Sequence, residues 1–184
     1  MKLKILRAGS PVLREKAQKL TKDEILSPSI QQLIQLMKDT MQDAPGVGLA
    51  APQIGKSIQL IVIEDRSEYT KSLSAEQIKQ RERSPVPFHV IINPKITLFD
   101  TPTVEFYEGC MSIPEYRGIV PRHHSVQVDC LNEHAEPITI KAQGWYARIL
   151  QHEIDHLHGI LCLDRMHMHS LTTDENYTKY WHKS

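Results

Sequence analysis

The run Gln151-His152-Glu153-Ile154-Asp155-His156 constrains this chain more tightly than any other stretch of it. Residues four apart on an α-helix lie one above the other, so His152 and His156 can turn their imidazoles to one metal ion while Glu153 projects beside it. The pattern works only on a helix, and the neighbouring residues supply one. From Trp145 to Leu157 there is neither proline nor glycine, and Trp145, Ile149, Leu150, Ile154 and Leu157 form an apolar stripe at helical spacing. Gly159 stands where such a helix stops.

Two imidazoles do not complete a catalytic metal site, which calls for a third protein ligand and an open position for water. Cys162 lies six residues after His156, where one class of zinc protease carries its third ligand. Cys110 is the rival, in Tyr107-Glu108-Gly109-Cys110-Met111-Ser112-Ile113-Pro114, where glycine and proline constrain the backbone. A third segment, Gly46-Val47-Gly48-Leu49-Ala50-Ala51-Pro52-Gln53-Ile54-Gly55, is dense in small residues that let a backbone approach a ligand, and Gln53 adds an amide donor. It has neither the Lys-Ser/Thr ending of a P-loop nor the G-x-G-x-x-G spacing of a dinucleotide site.

These three segments, in this order, resemble the signatures of the peptide deformylases, G-x-G-x-A-A-x-Q, E-G-C-x-S and H-E-x-x-H. The resemblance runs from Ile5-Leu6-Arg7 to Leu163-Asp164-Arg165-Met166. It implies that Cys110, His152 and His156 are the metal ligands and that Cys162 is not. A thiolate with two neutral imidazoles suits Fe(II), Zn(II), Ni(II) or Co(II), and the family is known for a native ferrous ion. The implied reaction is hydrolysis of an N-terminal formamide: water activated by the metal attacks the formyl carbon, with Glu153 first as base and then as acid. Gln53 and the backbone N–H of Met111 are implied as donors to the oxyanion. Val47, Gly48, Phe106, Trp145, Arg148 and Ile149 are implied to lie at or near a pocket for the methionine side chain, the stem of Arg148 lining an apolar wall while its guanidinium reaches a carboxylate or water. Glu108 and Asp155 are expected to pair with Arg122 and fix the ligands' orientation. The other histidines, among them His123, His124, His167 and His169, are read as surface residues.

The same helix motif serves two other protein classes. A metallopeptidase cutting internal bonds would need a third ligand downstream, making Cys162 essential instead of Cys110. A purely structural metal site would close the fourth position and leave Glu153 dispensable.

Composition narrows the partners. Lys plus Arg equals Asp plus Glu at 22 each, so no net field favours nucleic acid or an anionic membrane. The resemblance implies N-formylmethionyl nascent polypeptides as partners, and the charge balance leaves transient ribosome contact to a local patch. Three cysteines do not make a disulfide framework, and a thiolate ligand needs reducing surroundings, which fits bacterial cytoplasm or, for a mature processed form, an organelle matrix. No apolar run approaches a membrane span.

The 184 residues are expected to form a single α+β domain, antiparallel or mixed strands packing around the central metal-binding helix. An amphipathic helix is predicted near Ser29 to Gln42, and strands at Ile58 to Ile63, His89 to Asn93, Val104 to Tyr107, Ser125 to Cys130 and Ile138 to Ala142. Residues 65–88 read as a polar surface insertion, with Ser74 and Gln77 capping a short helix through Arg83; the alternative is a loop that borders the substrate cleft or forms a subunit contact. The tail, 167–184, is expected to dock through Tyr177, Tyr180 and Trp181, on this subunit or a partner.

Overall fold

In the strands, side chains alternate between faces, and the apolar runs of this chain are long enough to furnish two buried faces at once. The computed structural model describes residues 2–100 and 102–182. Its helices are α1 (Lys22–Leu26), α2 (Pro28–Asp43), α3 (Ala75–Gln80), α4 (Gly144–Leu157) and the single turn α5 (Asp174–Asn176). Its strands are β1 (Gly48–Ala50), β2 (Leu60–Asp65), β3 (Val86–Leu98), β4 (Thr103–Cys110), β5 (Ile113–His123), β6 (Ser125–Leu131), β7 (Pro137–Gln143) and β8 (Thr172–Thr173).

A five-stranded sheet runs in the order β1-β2-β3-β6-β7, and β4, β5 and β8 form a second, three-stranded sheet. Each strand pair is antiparallel, and the sole parallel pairing among the described residues is an isolated bridge between Gln18 and Ile58. Of the two arrangements expected, the strands therefore take the antiparallel one.

The larger sheet is sandwiched. Leu60, Val62, Val90 and Ile92 pack with Ile34, Met37 and Met41 of α2, while the intervening Ile61, Ile63 and Ile91 pack with Ile149, Leu150, Ile154 and Leu157 of α4. A third cluster, Leu13, Ile113, Val120, Leu161, Cys162 and Met166, closes the far side of the smaller sheet. The metal-type helix thus lies between layers, and every residue from Ala147 to Leu157 is buried, polar ones included. Its ends are set by glycines: Gly144 and Gly159 have φ of 60° and 73°, and a Cβ on Gly159 would come within 2.5 Å of the Arg14 carbonyl oxygen.

Helix α2 and the Ser74–Gln77 capping box match the sequence expectations, although α3 stops at Gln80. Strand β3 is longer than its apolar core suggests. It passes through Pro94 by a register shift between Ile92 and Lys95, with Asn93 at φ 53°. The tail docks by Tyr177, whose ring lies 4.9 Å from that of Tyr107, whereas Tyr180 and Trp181 stay 61% and 48% exposed.

Candidate active site

Strand β4 and helix α4 converge on one point. Cys110 ends β4 at a register shift: Gly109 pairs with Arg117, but Cys110 pairs with Ile113 across the short turn Met111-Ser112. That kink re-aims its thiol toward α4. One ligand-type atom from each of Cys110, His152 and His156 lies within 4.8 Å of the others. Cys110 Sγ is 3.4 Å from His156 Nε2, which is 3.2 Å from His152 Nε2. A tetrahedral ion with nitrogen near 2.0–2.1 Å and sulfur near 2.3 Å keeps neighbouring donors roughly 3.3–3.6 Å apart. The two shorter separations are thus close to those a first-row divalent ion imposes, and the donor set suits iron, cobalt, nickel or zinc.

His152 is held by a buried carboxylate. Its Nδ1 donates to Glu108 Oε1 at 2.6 Å, leaving Nε2 for the metal. Glu108 also accepts from Arg122 at 2.6 and 3.2 Å and from Arg148 at 3.0 Å. Arg122 continues to Asp155, which Arg165 grips with both ends of its guanidinium at 2.7 Å. The expected pairing of Glu108 and Asp155 with Arg122 is present and dry, since Arg122 is 3% exposed. Burial works against the Glu108 charge, but His152 and Arg122 outweigh it and hold the carboxyl far below the usual range. Burial likewise opposes charge on His152, and Glu108 overrides it to raise the ring to about 9. His156 Nδ1 has no such partner among the described residues, and burial lowers the ring well below the ordinary histidine range.

Glu153 is 4% exposed, with Oε2 buried and unpartnered among the described residues. Burial pushes its carboxyl up to about 7, against the opposing charge of His152. A carboxylate that exchanges a proton near neutrality is what general acid–base work needs. Strand β1 passes directly over it: a Cβ on Gly48 would lie 2.5 Å from Glu153 Oε1. Gln53 accepts from the Ala50 backbone at 2.9 Å and donates to Ser112 Oγ at 3.1 Å and Cys110 Sγ at 3.7 Å, so its amide is anchored at the cluster's edge.

Beside the cluster opens a cleft of about 580 Å³, lined by Val47, Gly48, Gln53, Met111, Trp145, Arg148, Ile149, His152 and Glu153. Phe106, expected with them, lies behind Trp145 with ring centroids 6.0 Å apart and lines a smaller neighbouring cavity. Arg148 reaches a carboxylate as expected, and its guanidinium also donates to the carbonyls of Val120 at 2.8 Å and Val104 at 2.6 Å. The 65–88 segment is only partly a solvated excursion: Tyr69, Leu73, Arg81 and Arg83 contribute to the cleft wall, and Arg81 is 8% exposed. Asp174 and Tyr177 of the tail line it too. The alternative that 65–88 borders the cleft is thus met, but sequence reasoning named none of these residues for it, because they lie in polar stretches without periodicity. Their roles follow from chain folding back across the cleft.

Cys162 is buried in the apolar cluster below Cys110 and shares a hydrogen bond with it; that bond and burial keep the Cys110 thiol above the ordinary range. The cluster that fits a metal uses Cys110. His167 and His169 are exposed, but His123 and His124 are half-buried, and His123 Nδ1 is sealed without a partner among the described residues. The surface reading of those two is corrected.

A layered α+β domain with a Cys/His/His cluster and an adjacent buried glutamate defines a metallohydrolase-type centre. A family model described as polypeptide deformylase matches residues 2–171, and the chain belongs to that family. It is similar to the chloroplastic peptide deformylase 1A of Solanum lycopersicum, 45% identical over 94% of this chain and 62% of that protein. It is also similar to peptide deformylase 3 of Streptomyces avermitilis, 39% identical over 97% of this chain and 78% of the relative. The chain thus spans less than two thirds of the tomato protein's length. Among solved structures, the Met-Ala-Ser-bound class I type b peptide deformylase of Acinetobacter baumannii superposes with a TM-score of 0.80. It is 32% identical and covers 90% of this chain and 99% of its own. The actinonin complex of the Synechococcus elongatus enzyme gives 0.74 at 36% identity, over 89% and 78% of the two chains.

Proposed function

We propose that this chain removes the N-formyl group from the amino-terminal formylmethionine of newly made polypeptides, releasing formate. The observation that carries the reading is the buried carboxylate of Glu153, its Oε2 without a partner among the described residues, beside the Cys110, His152 and His156 cluster in the lining of a cleft. A divalent ion held by those three residues, Fe(II) in the cell by family likeness, would supply the Lewis acidity that makes water a nucleophile near neutral pH.

The protein's own groups account for the proton and the charge. Glu153, placed to change protonation near pH 7, takes a proton from water and returns it to the departing amine. Gln53 Nε2 and the Met111 N–H are the donors for the negative charge that grows on the formyl oxygen. Strand β1 stands at the edge of its sheet, so its free side can pair with an extended peptide and guide the formyl end to Glu153. The Met-Ala-Ser peptide in the Acinetobacter enzyme supports a substrate of that kind. Val47, Gly48, Trp145, Arg148 and Ile149, with Phe106 behind them, form the pocket for the first side chain.

Nascent polypeptides are the proposed partners, with transient ribosome contact. No described helix is long and apolar enough to cross a membrane, and relatives occur in bacteria, chloroplasts and mitochondria. Bacterial cytoplasm or an organelle matrix is the proposed location. The test is formate release from formyl-Met-Ala-Ser by protein loaded anaerobically with Fe(II), against a Glu153→Ala control. Release that depends on both metal and Glu153 supports the reading, and none from folded, metallated protein sinks it.

A further inference from the structure

Three guanidinium groups surround one indole. The Cζ atoms of Arg81, Arg83 and Arg148 lie 5.3, 5.1 and 5.7 Å from the ring centre of Trp145. Two of the three are neutralised. Arg83 grips Asp65 through two bonds of 2.8 Å, and Arg148 is tied to Glu108 and to two carbonyls. The guanidinium of Arg81 has only ring contacts, to Trp145 and, at 5.7 Å, to Phe106, and it meets no carboxylate or carbonyl among the described residues. The residue is nonetheless 8% exposed and lines both the cleft and the smaller cavity behind it.

A second donor in the same place is also unmatched. Trp145 Nε1 is buried without an acceptor among the described residues. That nitrogen is sealed from the cleft, whereas no Arg81 nitrogen is among the sealed, unpartnered atoms. The Arg81 guanidinium lines the cleft with no carboxylate or carbonyl taken among the described residues, so its donors are left for an acceptor that arrives with a ligand.

The local backbone is built to hold Arg81 there. Its carbonyl accepts from Trp145 N at 2.9 Å, joining the end of α3 to the start of α4. Glu82, next in the chain, has a left-handed φ of 45° and is fixed by His124 at 2.7 Å and Gln143 at 2.9 Å. Gly144 closes the junction, since a Cβ there would meet Glu82 Cβ at 2.6 Å and the Arg81 carbonyl at 2.9 Å. A rigid mount spares the cost of ordering a long side chain when ligand binds.

We propose that Arg81, stacked on Trp145, forms an acceptor-binding end to the first side-chain pocket. The chain would then deformylate peptides whose first residue has the length of methionine and carries an oxygen near its tip, methionine sulfoxide foremost. The thioether of methionine is a weak acceptor and gains mainly contact with the indole, whereas a sulfoxide oxygen is a strong acceptor for the Arg81 guanidinium. The inference rests on the deformylase reading and concerns the selectivity of that same site.

The test compares formyl peptides that end in Ala-Ser and differ only in the first residue: methionine, methionine sulfoxide or norleucine, which matches the length and has no acceptor. Wild-type protein is expected to prefer the sulfoxide to norleucine in kcat/KM. Arg81→Leu is expected to cut that sulfoxide-to-norleucine ratio by about tenfold, and Arg81→Lys, which keeps a donor, by less. Calorimetry with the unformylated products Met(O)-Ala-Ser and Met-Ala-Ser should show the same Arg81-dependent preference. A wild-type enzyme that favours norleucine over the sulfoxide, or a folded Arg81→Leu with an unchanged ratio in both measurements, overturns the proposal. Failure of the wild type to release formate from the methionine peptide would instead remove the deformylase reading, while the product-binding comparison still tests Arg81.

Discussion

The Nδ1 of His152 donates to Oε1 of Glu108 at 2.6 Å, and this one bond joins the metal-type cluster to a buried chain of charges ending at Arg165 on the surface side of α4. A histidine ligand whose second nitrogen is committed in this way has its tautomer and ring plane set before any ion arrives.

Replacing Glu108 by Gln removes the charge that Arg122 and Arg148 share. Both guanidinium groups are less than 5% exposed, so water cannot replace the lost partner. Breaking a buried pair from one side costs about 3–5 kcal/mol, and losing a ligand's orienting carboxylate weakens metal binding by about 10–100-fold. Denaturant unfolding and chelator competition should show both losses together. A variant with normal metal affinity would mean that Glu108 serves only the fold.

Glu153→Gln separates chemistry from stability. Formate release should fall by about 10²–10⁴-fold, because the amide cannot take a proton. Stability in metal-free protein should move the other way. The Glu153 carboxyl is raised from 4.5 to about 7 by burial, so the folded state keeps a proton that the unfolded state gives up across that window. The wild type therefore loses stability as pH rises from about 4.5 to 7, and the amide variant does not. Well above pH 7 Glu153→Gln should be the more stable by about 3 kcal/mol, with the gap closing toward pH 4.5. Melting temperatures of the two proteins against pH check the sign. A gap that instead widens on acidification would contradict the raised carboxyl.

The two neighbouring thiols should part company. Cys110→Ser is expected to abolish the sulfur-to-metal charge-transfer absorption of Co(II)-loaded protein along with turnover. Cys162→Ser should keep both and lose about 1–3 kcal/mol of stability, because a hydroxyl would be buried among Leu13, Val120, Leu161 and Met166. Absorption that follows Cys162 instead would restore the peptidase-like ligand set.

Much of this arrangement was legible in the residues themselves. Period-3.6 stripes placed α2 and α4 to within a residue or two, and alternation placed β6 and β7, whose buried positions do alternate. Strand β5 escaped because Pro114, Gly118 and Pro121 interrupt it; it is a strand because β4 pairs with it from Thr103 to Cys110. Only that pairing reveals why Cys110, and not Cys162, faces the histidines, since the choice depends on a register shift with no local signature. Which residues of 65–88 and of the tail form the cleft wall was hidden for a related reason. Arg81 and Tyr177 sit in polar stretches, and their burial comes from segments distant in sequence closing over them, which no local pattern records.

Gly48→Ala tests whether the distance between a strand and a side chain sets the rate. Strand β1 is pinned by its pairing of Gly48 with Ile63 and Ala50 with Ile61, so its backbone has little freedom to retreat. A methyl at position 48 would lie 2.5 to 2.7 Å from the Oε1, Cδ and Cγ atoms of Glu153, well inside contact distance. The carboxylate has to swing away, and it is the partner better able to move. Alanine suits a short buried strand, so the fold should survive with its melting temperature nearly unchanged, and the three ligands are not touched, so metal content should hold. A misplacement of about 1 Å in a reacting group costs on the order of 10²-fold in rate, so kcat should fall by that factor while product-peptide affinity changes little. Full turnover by a folded Gly48→Ala would mean that Glu153 works from a position other than the one under this strand, and the base assignment would have to be redrawn around it.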